Sequence, residues 1–114
     1  MKLSKEQERV LKGIQDYISL AKDCNTFKEY YIREHTDNFK DRNDYQSILE
    51  HETKIFEQYE DRLTKDYMKY WKEAREQNIA LTSCSSSTLK ALEKKGLIKI
   101  IEDGGKWIDK VQLI

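Results

Sequence analysis

The chain has 114 residues, enough for one domain or a small domain with one long extension. Hydrophobic residues make up 38% and charged residues 37%, with no proline, a balance that favours helix and a modest core over a β-sandwich. The 21 basic and 21 acidic side chains cancel, so bulk charge marks no nucleic-acid binder, and the distribution of charge has to carry that question.

The apolar runs are all far shorter than a membrane span, and no secretory signal opens the chain. A soluble, cytoplasmic protein without membrane contact is expected. Cys24 and Cys84 show no CxxC spacing, which argues against a disulfide framework or a zinc site.

In chain order, Ser4 reads as a helix N-cap, with Gln7 completing a capping box. Val10, Leu11, Ile14, Tyr17, Ile18 and Ala21 then form an apolar face at helical spacing. Lys5, Arg9 and Lys12 fall off that face as a basic strip, either a solvated surface or a set of phosphate contacts. Thr26 with Glu29 opens a second, shorter helix carrying Phe27, Tyr30 and Tyr31. Thr36 to Asn43 is polar and reads as a loop, because such side chains compete with the helix backbone.

Asn43 with Gln46 opens a third helix, predicted to run unbroken from Asp44 to Gln77. Tyr45, Leu49, Glu52, Phe56, Tyr59, Leu63, Tyr67 and Tyr70 recur at steps of four and three. Such a helix would be roughly 50 Å long at 1.5 Å per residue, more than a small domain covers. Its stripe must pack on the second helix, on a second copy of the chain, or on another protein. A contact through Tyr45, Leu49, Phe56, Tyr59 and Leu63 is expected, since tyrosine-rich faces suit interfaces, and a homodimer is the expected occupant. A protein partner on the long helix is the alternative occupant, and an intramolecular helical hairpin the other arrangement. Pairs four apart, Glu50–Lys54, Asp61–Lys65, Lys69–Glu73 and Lys72–Glu76, support its exposed side.

The last third is a helix, a stop, a strand, a turn and a strand. Leu89 and Leu92 share a helical stripe, Lys94 and Lys95 complement the dipole of the last turn, and Gly96 ends it. Leu97 to Ile101 is a short β-branched strand, Glu102 to Lys106 a hairpin turn, and Trp107 to Ile114 the returning strand, with Val111 and Leu113 on one face.

The fold class expected is mostly α with a C-terminal β-hairpin. The segment LKALEKKGLI, residues 89–98, strongly resembles the end of the recognition helix and the first wing strand of winged helix-turn-helix DNA-binding proteins. The likeness is nearest to the N-terminal domain of LexA-type repressors. Asn78 stands where that family has its turn glycine, Ile79 takes the apolar place after it, and LSKEQERVL, residues 3–11, looks like the family's first helix. The resemblance covers residues 1–23 and 72–114. It implies one winged-helix domain spanning 1–114, with a helical insertion at about 24–71 where the family has a short link. Winged-helix proteins commonly bind DNA as symmetric pairs, so the resemblance is what makes a homodimer the expected occupant of the long helix's stripe. The strand that usually follows the family's first helix is not evident. In this frame the turns from about Tyr70 to Gln77 would be the second helix, and Cys84 a small core residue on the recognition helix.

Charge follows the same division. Residues 1–23 hold five basic and four acidic side chains, residues 78–114 six and four, and the middle, 24–77, ten and 13. The two segments that carry the resemblance are thus mildly basic.

Catalytic patterns fail. His35 and His51 have no metal spacing, and His51-Glu52 lacks the second histidine of a zinc-protease motif. Gly104-Gly105 lacks the frame of a phosphate loop, and the serines at 83 and 85–87 have no histidine nearby in sequence. No enzyme and no cofactor are expected. Thr82 or Ser83 would start the recognition helix, and Ser83, Ser86, Ser87 and Lys90 would face double-stranded DNA with the free N–H groups of that end. No Arg, Asn or Gln lies in its first two turns, so base discrimination there would be weak. Lys106 and Trp107 at the wing tip, with Lys5, Arg9 and Lys12, would then share the contact, although Trp107 could equally cap the core. The implied role is a transcriptional regulator, or an accessory protein marking a DNA site for replication, partition or transfer on a plasmid, phage or other mobile element. The alternatives are a winged helix used for protein contact and a single-stranded DNA binder.

Overall fold

The computed structural model describes residues 2–103 and 108–114, and Lys106 and Trp107 of the expected wing tip lie outside the described residues. The order is α1 (Lys5–Asp23), α2 (Phe27–Thr36), a 3₁₀ turn (Asp37–Phe39), α3 (Tyr45–Gln58), α4 (Glu60–Gln77), β1 (Ile79–Leu81), α5 (Ser86–Lys94), β2 (Ile98–Asp103) and β3 (Ile108–Leu113). The chain is mostly helical, with a small antiparallel sheet ordered β1-β3-β2.

Ser4 caps α1 as the sequence predicts: its hydroxyl accepts from the Gln7 N–H at 3.1 Å, and its own N–H donates to the Gln7 side chain at 3.2 Å. At α2 the box is altered. Thr26 accepts from the Glu29 N–H at 3.1 Å, but the Glu29 carboxylate takes the N–H of Asn25 at 3.2 Å. The polar stretch after α2 is partly helical, as the 3₁₀ turn, and Thr36 is buried with its hydroxyl donating to the Ile32 carbonyl at 2.7 Å. Asp44, not Asn43, occupies the N-cap of α3, without a side-chain bond.

The unbroken helix from 44 to 77 is not formed. Tyr59, at φ −117° and ψ 22°, ends α3 and begins α4. The cause is packing rather than a helix breaker. Phe56 turns inward to meet Phe27 and Tyr31, with ring centroids 5.8 and 5.4 Å away, while Trp71 turns to α1. A straight helix could not reach both.

Two apolar clusters result. In the first, Val10, Ile14 and Ile18 of α1 pack against Leu89 and Leu92 of α5 and against Ala80, Ile98 and Val111 of the sheet. In the second, Ala21 and Cys24 at the end of α1 meet Phe27, Tyr30, Phe56, Trp71 and Ala74. Tyr17 packs against both, and α1 contributes buried residues to each, so α1 is the shared spine. The segment read as an insertion therefore folds back on its own chain.

The end of α1 is closed from α4. Trp71 donates from Nε1 to the Ala21 carbonyl at 3.1 Å, and Arg75 donates to the carbonyls of Ala21 at 3.0 Å, Lys22 at 3.3 Å and Cys24. These are acceptors that a helix C-terminus leaves without intrahelical partners.

Asn78 adopts the left-handed conformation, φ 57°, and turns α4 into β1. β1 was not anticipated. It pairs with the last strand, Ala80 opposite Val111, and the Gln112 side chain donates to the Gln77 carbonyl at 2.7 Å. Gly96, φ 76°, closes α5: its N–H bonds the Glu93 carbonyl at 2.9 Å, and the Leu97 N–H reaches back to Leu92 at 3.2 Å. Glu102 and Asp103, expected in the turn, belong to β2, which shifts register against β3 between Ile100 and Asp103.

Candidate nucleic-acid interface

α5 buries Leu89 and Leu92, so Ser87, Lys90 and Lys94 fall on its exposed side. The helix starts later than the sequence suggests. Ser85 is the N-cap, and Thr82 and Ser83 lie in an extended connector ahead of it. β1 pairs residues 79–81 with β3, and three further residues, Thr82 to Cys84, separate it from the Ser85 cap. The link from α4 to α5 runs from 78 to 85, longer than the three- or four-residue turn of a helix-turn-helix. Ser83 and Ser87 are exposed, and Thr82 and Ser86 are half-buried. The Ser85 hydroxyl lies 3.2 Å from that of Ser87 and 3.4 Å from that of Thr88, so the hydroxyls at this helix start contact one another. Cys84 sits in the connector, half-buried against the first cluster, instead of on the helix.

Lys5, Arg9 and Lys12 stand on the exposed side of α1, opposite Val10 and Ile14. Arg9 pairs with Glu6 at 2.6 Å and Lys12 with Asp16 at 2.9 Å. The hydrogen bond from Arg9 holds the Glu6 carboxyl below its usual range. Both pairs are well exposed, and exposed pairs bind weakly enough to exchange for a phosphate. Lys95 is committed elsewhere. Its ammonium donates to Gln7 at 2.7 Å and to the Lys2 carbonyl at 3.2 Å, tying the end of α5 to the start of α1.

Lys94 on α5 and Lys99 on β2 are exposed as well. The sequence assigned Lys94 to the helix dipole; its spacing of four from Lys90 was the available signal. On β3, Lys110 instead bridges inward to Glu73 at 3.1 Å and to Glu102 at 3.7 Å. Glu73 thus pairs across to the sheet, where the helix pattern had suggested Lys69.

Of the five expected interface residues, Phe56 is buried within its own chain at 2% exposure and is removed from that role. Tyr45, Leu49 and Leu63 are half-buried, while Tyr59 stays 47% exposed at the break. A cleft of about 680 Å³ opens between α2, α4 and the connector, with tyrosines on its walls and Thr82 and Ser83 at its edge. Among the described residues no group of His, Cys, Asp and Glu is arranged to hold a metal ion, and no helix is long and apolar enough to cross a membrane. No protein-family model, curated protein or solved structure matches the chain.

Proposed function

We propose that the chain binds double-stranded DNA as a winged-helix protein, serving as a transcriptional regulator or as an accessory protein that marks a DNA site on a mobile element. The observation that supports this most is the outward side of α5. A short helix seated on α1 presents Ser87, Lys90 and Lys94 to solvent and runs at once into β2 and β3. Free N–H groups at its start and lysines along it suit a phosphate backbone. Lys5, Arg9 and Lys12 add a second group of cations, and Lys106 and Trp107, which the sequence assigns to the wing tip and which lie outside the described residues, would complete the contact. The serine-rich start of α5 favours contact through backbone and shape over base reading. We further propose a homodimer, with Tyr59 and the flanking stripe of Tyr45, Leu49 and Leu63 at its contact.

Fluorescence anisotropy with a labelled duplex, titrated with salt, tests the reading. Contact by Lys5, Arg9, Lys12, Lys90 and Lys106 predicts a slope of log affinity against log salt of up to about −4.5, and Lys90→Ala and Lys106→Ala should each make it shallower by about one. Negligible binding to any duplex rejects the proposal. Sedimentation of the Tyr59→Ser variant tests the dimer, which should dissociate at lower dilution than the parent.

A second reading, contact with another protein, is favoured by Tyr59 and Tyr67, which stand 47% and 51% exposed in the helical half. Flat DNA binding together with an intact fold would favour it.

A further inference from the structure

We propose that the cleft between α2, α4 and the connector is a binding site for a small organic cation with an apolar body, of the quaternary ammonium class. Its volume of about 680 Å³ lies within the range of small-molecule sites. Five of the seven tyrosines in the chain line it: Tyr17, Tyr30, Tyr31, Tyr67 and Tyr70. Leu63 and Leu81 supply apolar wall, and Glu34 is exposed at the rim.

Charge decides the class of ligand. In a chain with 37% charged residues, the described lining includes one carboxylate and neither lysine nor arginine. The one basic side chain in the lining, His35, is engaged by Tyr31: its Nδ1 lies 2.7 Å from the Tyr31 carbonyl and its ring is stacked on that residue. An anion would therefore face Glu34 and phenol oxygens. Tyrosine faces, by contrast, carry the negative side of the ring quadrupole and attract weakly hydrated cations. One wall already shows this preference. The ammonium of Lys69 lies 5.0 Å and that of Lys110 5.4 Å from the centre of the Tyr70 ring. Tyr70 is thereby engaged, and Tyr31 is stacked on His35 at 4.3 Å. Tyr67, tilted against Tyr70 at 6.4 Å but with half its surface open, is the most exposed of the five rings and the one to receive a ligand, and Glu34 is the countercharge. Bulky alkyl groups on the cation would cover the leucines, which a bare metal ion would not.

The test reads ligand binding directly and so stands apart from the DNA reading. Benzyltrimethylammonium chloride is titrated into the full chain at fixed ionic strength, followed by two-dimensional NMR, with benzyl alcohol and benzoate as neutral and anionic probes of similar size. The expected result is saturable binding of the cation, with shifts at the cleft and at least about tenfold weaker binding of benzoate. Glu34→Gln and Tyr67→Ala should each weaken it by about two- to fivefold. Both side chains are exposed, and unchanged circular dichroism melting verifies that the variants fold. Benzoate binding as tightly as the cation, shifts located elsewhere, no saturation at millimolar concentration, or affinity unchanged in both variants would each overturn the proposal.

Discussion

Arg75 shows how much one side chain can hold. Its guanidinium serves the carbonyls of Ala21, Lys22 and Cys24 and lies over the Trp71 ring, 5.2 Å from its centre. All three bonds come from one terminal nitrogen, Nη1, whose two N–H groups are shared among the three carbonyls. Arg75→Met keeps much of the aliphatic volume and leaves the end of α1 short of donors. We expect a loss of about 1.5–3 kcal/mol, read from urea unfolding, since hydrogen bonds from a charged donor to partly buried carbonyls are removed. A loss under about 0.5 kcal/mol would mean that water replaces the guanidinium at no cost. None of this was legible in the sequence, because Arg75 and Ala21 lie 54 positions apart and neither carries a motif. Gly96 was legible for the opposite reason: a helix stop is local, and glycine after two lysines states it within one turn. Phe56 falls between the two. Its periodicity revealed a buried stripe but not whether the same chain or a second copy would cover it.

At the scale of elements, the starts of α1 and α2, the stop of α5 and the existence of the two terminal strands were legible, since each has a cap, a glycine or a dense β-branched run. The start of α5 and the end of β2 were misplaced. The sequence pattern joined α3 and α4, because Glu57-Gln58-Tyr59-Glu60-Asp61 contains no residue that forbids a helix. The break follows from tertiary packing, which single-sequence periodicity does not see. β1 was missed because three residues make a strand only when a distant partner, here residues 110–112, lies beside them. Tyr59 offers a direct check. Its N–H still reaches Ile55 at 3.1 Å, and the ladder of α4 resumes with the Leu63 N–H on the Tyr59 carbonyl at 2.9 Å. The amides of Glu60, Asp61 and Arg62 thus belong to a helix start, where intrahelical partners are lacking. Hydrogen exchange should be at least about tenfold faster at these three amides than at Phe56 or Leu63. Uniform protection from 52 to 70 would restore the continuous helix.

Across the whole molecule, the second cluster is built from groups that hold their protons. Burial raises the pKa of Tyr17, whose hydroxyl also interacts with Tyr30, and raises that of Tyr30 above the usual tyrosine range, with Tyr17 and Glu34 adding to the effect. Burial likewise pushes up the Cys24 thiol, which is 0% exposed. At Lys110 burial works against the charge, but hydrogen bonds and the field of Glu73, with Glu102, outweigh it and raise the pKa. The sign is the same for all four. The folded chain keeps protons that the unfolded chain gives up, so unfolding releases protons at high pH and stability falls as pH rises. The window opens near the unfolded values, about 8.5 for cysteine and about 10 for tyrosine and lysine, and extends upward from there. Urea midpoints should therefore be level from about pH 7 to pH 8 and decline steeply above about pH 9. Tyr30→Phe should blunt that decline, because it removes the most strongly shifted proton while keeping the ring that packs edge-on to Tyr17 at 6.4 Å. The same alkaline slope in Tyr30→Phe as in the parent would show that the second cluster does not hold Tyr30 as a buried, protonated phenol.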